Sequence, residues 1–278
     1  PLSSLETYSE EQSPKLSGRK GLSLVLLLAL VGSIAILGII IWQNQKLKKP
    51  KGGTVIAVSG LKNAKAVWIP AGSFMMGSPK GEQGRDSDEG PQHKVTLSRG
   101  FWMMQTEVTQ GQYQALMGAN PSHFKSCGGN CPVEKVSWHD ALLFANKLSI
   151  KAGLETCYGC SGGTCKLKAE FQRNSGKAYM KCKGWRLPTE AEWEYAYRGG
   201  TTTAFYNGGI TKPTGKDPKL DKIAWFDDNA NRKTHPVAQK KANPWGLYDM
   251  AGNVWEWVFD GSSRTYTKAS VVDPVRTV

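Results

Sequence analysis

The 278-residue chain has only four histidines, scattered at His93, His123, His139 and His235, so no imidazole cluster marks a metal centre or a general base. It has no Gly-X-Y period despite 31 Gly and 14 Pro, which excludes a collagen-like rod. Its 40% hydrophobic content and 10 Trp exclude disorder along the whole length. A loop-rich globular domain fits this composition. Residues 52–278 contain no run of five basic residues and no zinc-finger, RNA-recognition or basic-zipper pattern. The formal charge of +13 is therefore not a nucleic-acid signal. Seven Lys/Arg against three Glu in residues 1–51 give +4 and leave +9 to the rest. A basic surface facing anionic lipid, polymer or acidic peptide is expected, and nucleic acid is not an expected partner. There is no protein kinase motif. The first residue is Pro1 rather than Met, which reads as a processed chain or a fragment of something longer.

What is present begins with an apolar run. No charged residue occurs between Lys20 and Lys46, and Gly21–Trp42 is long enough to cross a bilayer core as a helix. Trp42 sits where an interfacial aromatic would sit, and Lys46, Lys48, Lys49 and Lys51 follow. The run exceeds a signal-peptide core and offers no small-x-small cleavage site, so a transmembrane helix is expected. Four Lys after the run against Lys15, Arg19 and Lys20 before it slightly favour a cytoplasmic C-terminal part. The cysteines point the other way. Cys127, Cys131, Cys157, Cys160, Cys165 and Cys182 form an even, clustered set, which reads as disulfides in an oxidising compartment. The globular domain is therefore placed outside the cytoplasm, at a bacterial inner membrane. Six cysteines allow 15 pairings. Zinc is the rival account, because Cys157 and Cys160 form a C-x-x-C that Cys165 and Cys182 could complete, although the second C-x-x-C of a zinc ribbon is missing.

The expected organisation is a juxtamembrane linker at 1–20, a transmembrane helix at 21–42, a basic, Gly-rich linker at 43–64 and a folded domain at 65–278. Three helices are announced by their caps. Thr109 with Gln112 opens one that Gly118 stops. Ser137 with Asp140 opens a second running toward Gly153. Thr189 with Glu192 opens a third that ends at Gly199. Glu190, Glu192 and Glu194 lie in its first turns, where the helix dipole favours negative charge, and they read as structural rather than catalytic.

Five segments in order carry a family resemblance: Trp68–Ser78, Glu107–Thr109 with Tyr113 and Asn120–Ser122, Pro132–Ala141, Gly184–Ala196 and Asn243–Trp257. Together they resemble the formylglycine-generating enzyme (sulfatase-modifying factor) family from about Val67 to Asp260. The resemblance implies an α+β, C-type-lectin-like fold with little regular secondary structure and bound calcium. It aligns Asp249, Gly252, Val254 and Glu256 with ligands of one calcium ion, two through carboxylates and two through backbone carbonyls, and hard oxygen donors suit that ion. The competing reading is that Asn253 and Glu256 only close a tight turn. A second family calcium site has no clear match, with Asp227, Asp228 and Asn229 as weak candidates.

The family's enzymes hold copper(I) on a cysteine pair downstream of the Trp-Glu-Trp motif and oxidise a substrate cysteine to formylglycine. All six cysteines of this sequence lie upstream of that position, so the resemblance carries over no catalytic residue, and copper is expected only if a missing C-terminal segment supplies the pair. That segment would also bury part of the Trp245, Trp255 and Trp257 face. Two functions follow. One is a non-catalytic, membrane-anchored module that binds a peptide, glycan or partner protein outside the cell and serves an upstream cytoplasmic domain such as a bacterial receptor kinase. The other is a tethered copper-dependent oxidase that activates sulfatases.

Overall fold

The computed structural model describes residues 50–173, 177–260 and 266–275. The predicted transmembrane helix at 21–42, its preceding linker and the end at Val278 lie outside them. Among the described residues, no helix is long and apolar enough to cross a membrane.

The elements are short, and turns and caps carry most of the chain between them. Strand β1 (Val55–Ala57) pairs antiparallel with β2 (Lys65–Ile69), which pairs with β5 (Phe101–Met104). A second sheet has the order β3 (Gly72–Met76), β4 (His93–Leu97), β8 (Val271–Val272), with β8 parallel to β4. The hairpin β6 (Tyr158–Ser161) and β7 (Thr164–Leu167) stands apart from both. The result is a mixed sheet and helix domain.

β1 corrects the expected boundary. The stretch before Lys65 reads as a linker because it is rich in Lys and Gly, yet Val55 faces Val67 across the ladder. Val58, Leu61 and Ala64 are buried beyond it. Three apolar side chains spaced three apart around a tight turn are enough to fix this segment to the domain.

All three helices form where their caps place them. Helix α1 (Gln110–Met117) starts at Thr109, whose hydroxyl accepts from Gln112 N–H, and stops at Gly118 in the left-handed conformation. Helix α2 (Trp138–Lys151) is capped by Ser137 and Asp140 in the same reciprocal way. Helix α3 (Glu190–Arg198) is capped by Thr189 and Glu192 and ends at Gly199, also left-handed. Each box satisfies two backbone donors that a helix start leaves unpaired.

Three apolar clusters make the core. One gathers Val67 and Ile69 of β2, Val95 and Leu97 of β4, and Ala191, Tyr195 and Ala196 of α3. A second packs α1 on α2 through Tyr113, Phe144 and Leu148, beneath Ala66 on the opposite face of β2. The third lies between α2 and the β6–β7 hairpin, around Leu142, Tyr158, Tyr179 and Phe259. Strand β2, buried on both faces, joins the first two.

The hairpin cluster is tied by two disulfides, Cys157–Cys182 and Cys160–Cys165, and a third, Cys127–Cys131, closes a short loop. No free cysteine remains. The zinc alternative falls with this pairing, since Cys157 and Cys160 belong to different bridges and a disulfide sulfur is not a thiolate ligand.

Candidate functional site

The loop 249–257 is built around backbone that few residues accept. Asp249 and Asn253 both have positive φ, at 58° and 71°. A Cβ on Gly252 would collide with the carbonyl oxygen of Trp225, which accepts from Asn253 N–H at 2.8 Å. This close approach requires glycine. The loop is then clamped from a distance by Glu107, a buried carboxylate just before the cap of α1. Its two oxygens accept from Asn253 Nδ2 at 2.8 Å and from Val254 N–H at 3.1 Å. Asn253 also accepts from His235 N–H at 3.0 Å, so one side chain ties three segments together. Asn253 does more than close a turn.

Of the four residues the resemblance points to, Asp249 is buried with φ in the left-handed region. Its Oδ2 accepts from Ala238 N–H at 2.7 Å, while its Oδ1 is buried with no hydrogen-bond partner among the described residues. Gly252 and Val254 present backbone carbonyls on the same loop. Glu256 accepts from Trp193 Nε1 at 2.6 Å. No group of three His, Cys, Asp or Glu arranged to hold a metal occurs among the described residues, so any cation here leans on carbonyls. Asp227 and Asp228 are exposed, and Asn229 is spent on its own turn, accepting from Phe226 N–H and donating to Ala224 O and Asp221.

Three carboxylates crowd this loop. Burial holds Glu107 well above the usual carboxylate range, and the charges of Glu256 and Asp249 add to it. Burial also raises Asp249. Surrounding protein pushes Glu256 up to about 7, opposed by the Trp193 hydrogen bond and reinforced by Asp249. The Glu256 side chain is nevertheless exposed in area, and solvent that reaches it screens the effect. An orphaned buried carboxylate oxygen inside a ring of mutually repelling acids is the environment a hard cation relieves. The carboxylates of Asp249 and Glu256 and the carbonyls of Gly252 and Val254 are hard oxygen donors of the type calcium takes.

Two tryptophans leave the loop. Trp255 is fully exposed, at 101% of its reference area, and Trp257 is half exposed, anchored by its Nε1 on the carbonyl of Val136 at 3.1 Å. They stand at the mouth of a cavity of about 720 Å³. One wall of the cavity is β5 with its flanks, from Arg99 to Met104. The segment Met180–Pro188, the α2 residues Phe144, Ala145 and Leu148, and Ile56–Ser59 with Trp68 also line it.

The helix acids all have structural partners. Glu192 takes a bidentate pair from Arg186, both contacts at 2.7 Å. Glu194 pairs with Arg198 and accepts from Gly77 N–H. Glu190 accepts from Tyr266 Oη.

The model of the sulfatase-modifying factor enzyme 1-like domain matches residues 55–275, nearly all of the described chain. The chain belongs to this family. The start at residue 55 coincides with β1. This family member is 31% identical over 234 residues to the formylglycine-generating enzyme of Streptomyces coelicolor, covering 75% of this chain and 73% of that enzyme. It is 37% identical over 195 residues to chaperone protein LppX of Paenibacillus barcinonensis, covering 62% of this chain and 66% of LppX. It is 31% identical over 210 residues to serine/threonine-protein kinase pkn1 of Chlamydia caviae, where 70% of this chain matches only 27% of the kinase. Among solved structures, Treponema denticola variable protein 1 superposes with a TM-score of 0.62 at 34% identity, over 81% of this chain and 82% of that one. The family domain is thus shared by proteins with an enzyme's name, a chaperone's name and a kinase's name, and the match alone does not choose among their activities.

Glu107 is the residue that sequence reasoning missed. It stands in a recognised segment, Glu-Val-Thr, but its partner residues lie 146 and 147 positions away. An acid two residues before a helix cap, with no Lys or Arg nearby in sequence, was the available signal.

Proposed function

We propose that this domain is a non-catalytic, extracytoplasmic binding module of a membrane-anchored protein. The observation that carries this reading is the state of its cysteines: all six are closed into disulfides, so the chain offers no thiolate pair to copper(I). The three bridges also favour an oxidising compartment, and the Gly21–Trp42 run supports the anchor. Similarity to the kinase over a minor part of its length is compatible with a sensory domain attached to a separate signalling unit.

In this reading the exposed Trp255 and Trp257 and the cavity beside them form the ligand face within a lectin-like frame. Calcium would be held by the carboxylates of Asp249 and Glu256 and the carbonyls of Gly252 and Val254. When bound it neutralises the crowded acids and stiffens the loop that carries the tryptophans. Glu107 and Asn253 position that loop from the protein side. The alternative, copper-dependent oxidation of a substrate cysteine, is supported by similarity to the Streptomyces enzyme.

One experiment separates the two. The protein, expressed with whatever its gene encodes after Val278, is incubated with copper(I), oxygen and a cysteine-containing peptide, and aldehyde is measured by mass spectrometry. No aldehyde above a protein-free control is expected, and aldehyde formation overturns the module. For calcium, melting followed with added calcium and then with chelator should show a rise and its reversal, absent in Asp249→Ala. The anchored protein should stay with membranes through a salt wash.

A further inference from the structure

The three disulfides stand in different surroundings. Cys157, Cys165 and Cys182 are buried in the hairpin cluster and Cys160 packs against it, so both hairpin bridges are part of that core. Cys127–Cys131 belongs to none of the three apolar clusters. Cys127 is partly exposed, and Gly128, Gly129 and Asn130, between the two cysteines, are exposed. This bridge spans a sequence separation of only 4, against 25 for Cys157–Cys182, and a short loop gains least from cross-linking.

Polar neighbours separate the bridges further. Cys127 Sγ lies 3.2 Å from Thr234 O, and Cys131 Sγ lies 3.2 Å from Cys127 O. A bridged sulfur has no hydrogen to give those oxygens, whereas each thiol has one. Two acceptors are therefore in place for the reduced form. At Cys160 the polarity is reversed: Asn146 Nδ2 donates to the sulfur at 3.5 Å, a contact that a disulfide can accept.

The loop that Cys127–Cys131 closes stands behind the clamp on loop 249–257. On one side Gln110 N–H donates to Cys131 O at 2.8 Å and Gly111 N–H to Gly129 O at 2.9 Å. These are two donors at the start of α1 that no carbonyl within the helix can reach. Glu107 lies three residues before Gln110. On the other side Val237 N–H donates to Asn130 O at 3.0 Å, close in sequence to the Thr234 contact. Between Thr234 and Val237 lies His235, whose N–H and C=O both bond the side chain of Asn253. The closed loop thus braces both partners of the Glu107–Asn253 contact, one through α1 and the other through segment 234–237.

We propose that Cys127–Cys131 is a reducible clasp that regulates loop 249–257 and is opened by a dithiol reductant. A thiolate of the reductant attacks Cys127 Sγ, the Cys127–Cys131 bond breaks, and Cys131 leaves as a thiolate that takes up a proton. The second thiol of the reductant then resolves the mixed disulfide and releases Cys127 as a thiol. Two electrons and two protons pass to the bridge, and the reductant becomes a disulfide. Closed, the clasp fixes the loop; open, it loosens both braces of the clamp while the hairpin bridges hold the domain together. This rests on the binding-module reading and names how its loop is regulated.

The protein, expressed with whatever its gene encodes after Val278, is placed in phospholipid nanodiscs and equilibrated in dithiothreitol buffers of decreasing potential. Free thiols are alkylated and mapped by mass spectrometry. Cys127 and Cys131 should be alkylated at potentials that leave the four hairpin cysteines bridged. In that state amide exchange at Asn253 and Val254 should quicken about tenfold or more, exchange at Tyr158 should not change, and reoxidation should restore the slow rate. A hairpin bridge that opens before this one, or together with it, overturns the proposal. Opening without faster exchange at Asn253 and Val254 also overturns it, as does loss of protection throughout the domain, which would make the bridge a staple of the fold. Cys127→Ser combined with Cys131→Ser should give the fast exchange without reductant, and protection equal to the parent overturns the clasp. Were that variant not to fold, the titration of the parent decides alone. The aldehyde assay, repeated on the reduced protein, judges the module separately: aldehyde overturns the module, while the exchange rates still judge the clasp.

Discussion

The hairpin cluster and the loop 249–257 treat buried polar groups in opposite ways. Around the hairpin every such group is answered. Tyr179 donates to Leu187 O at 2.6 Å, Tyr158 donates to Tyr179 Oη at 2.6 Å, and Leu187 N–H returns to Tyr158 Oη at 3.0 Å. Asn146 accepts from and donates to the backbone of Tyr158. Burial works against the charge of Arg186, and Glu192 more than restores it. Two disulfides close the cluster. In and around the loop, Asp249 Oδ1, Trp225 Nε1 and Thr234 Oγ1 are buried without a hydrogen-bond partner among the described residues, and a whole indole stands in solvent. The first region is finished by its own chain. The second is left with needs that a ligand can meet, and such groups are where function concentrates.

The sharpest way to break this contrast is in the hairpin cluster. Glu192→Gln leaves Arg186 buried beside a neutral amide, and chemical denaturation should show a loss of about 3–5 kcal/mol. Replacing Cys157 and Cys182 by Ser together opens a loop of sequence separation 25 and should cost about 2–4 kcal/mol by the same measurement. Alkaline pH gives a third handle. Burial is the main reason that Tyr158 is pushed up to about 12. A raised tyrosine binds its proton more tightly in the folded state, so its contribution is complete below about pH 10 and fades as pH rises toward 12, by about 2–3 kcal/mol. Tyr158→Phe should flatten that part of the stability profile; an unchanged alkaline limb would show that Tyr158 is not the source. Trp255→Ala should move stability by no more than about 0.5 kcal/mol. If it destabilised the domain as the hairpin substitutions do, Trp255 would belong to the fold and the contrast would fail.

Local signals were legible in the sequence and distant ones were not. The capping boxes at Thr109, Ser137 and Thr189 each lie within four residues, so their helices could be read directly. β1 was hidden because its three residues are exposed and earn their place only by pairing with β2. The disulfide partners could not be read, since the 15 possible pairings differ only in tertiary geometry. The resemblance pointed to Asp249, Gly252, Val254 and Glu256, but the clamp by Glu107 required the fold.

The Glu107 clamp also bears on the order in which the molecule assembles. Its bonds to Asn253 and Val254 span 146 and 147 residues, whereas the capping boxes span three. Contacts of such sequence separation form only after the long intervening chain has been drawn together, at a loop-closure cost that local contacts avoid. The loop 249–257 thus takes its final shape late in folding, a shape absent from any intermediate that holds only helices and hairpins, and is fixed only when Glu107 has met Asn253 and Val254.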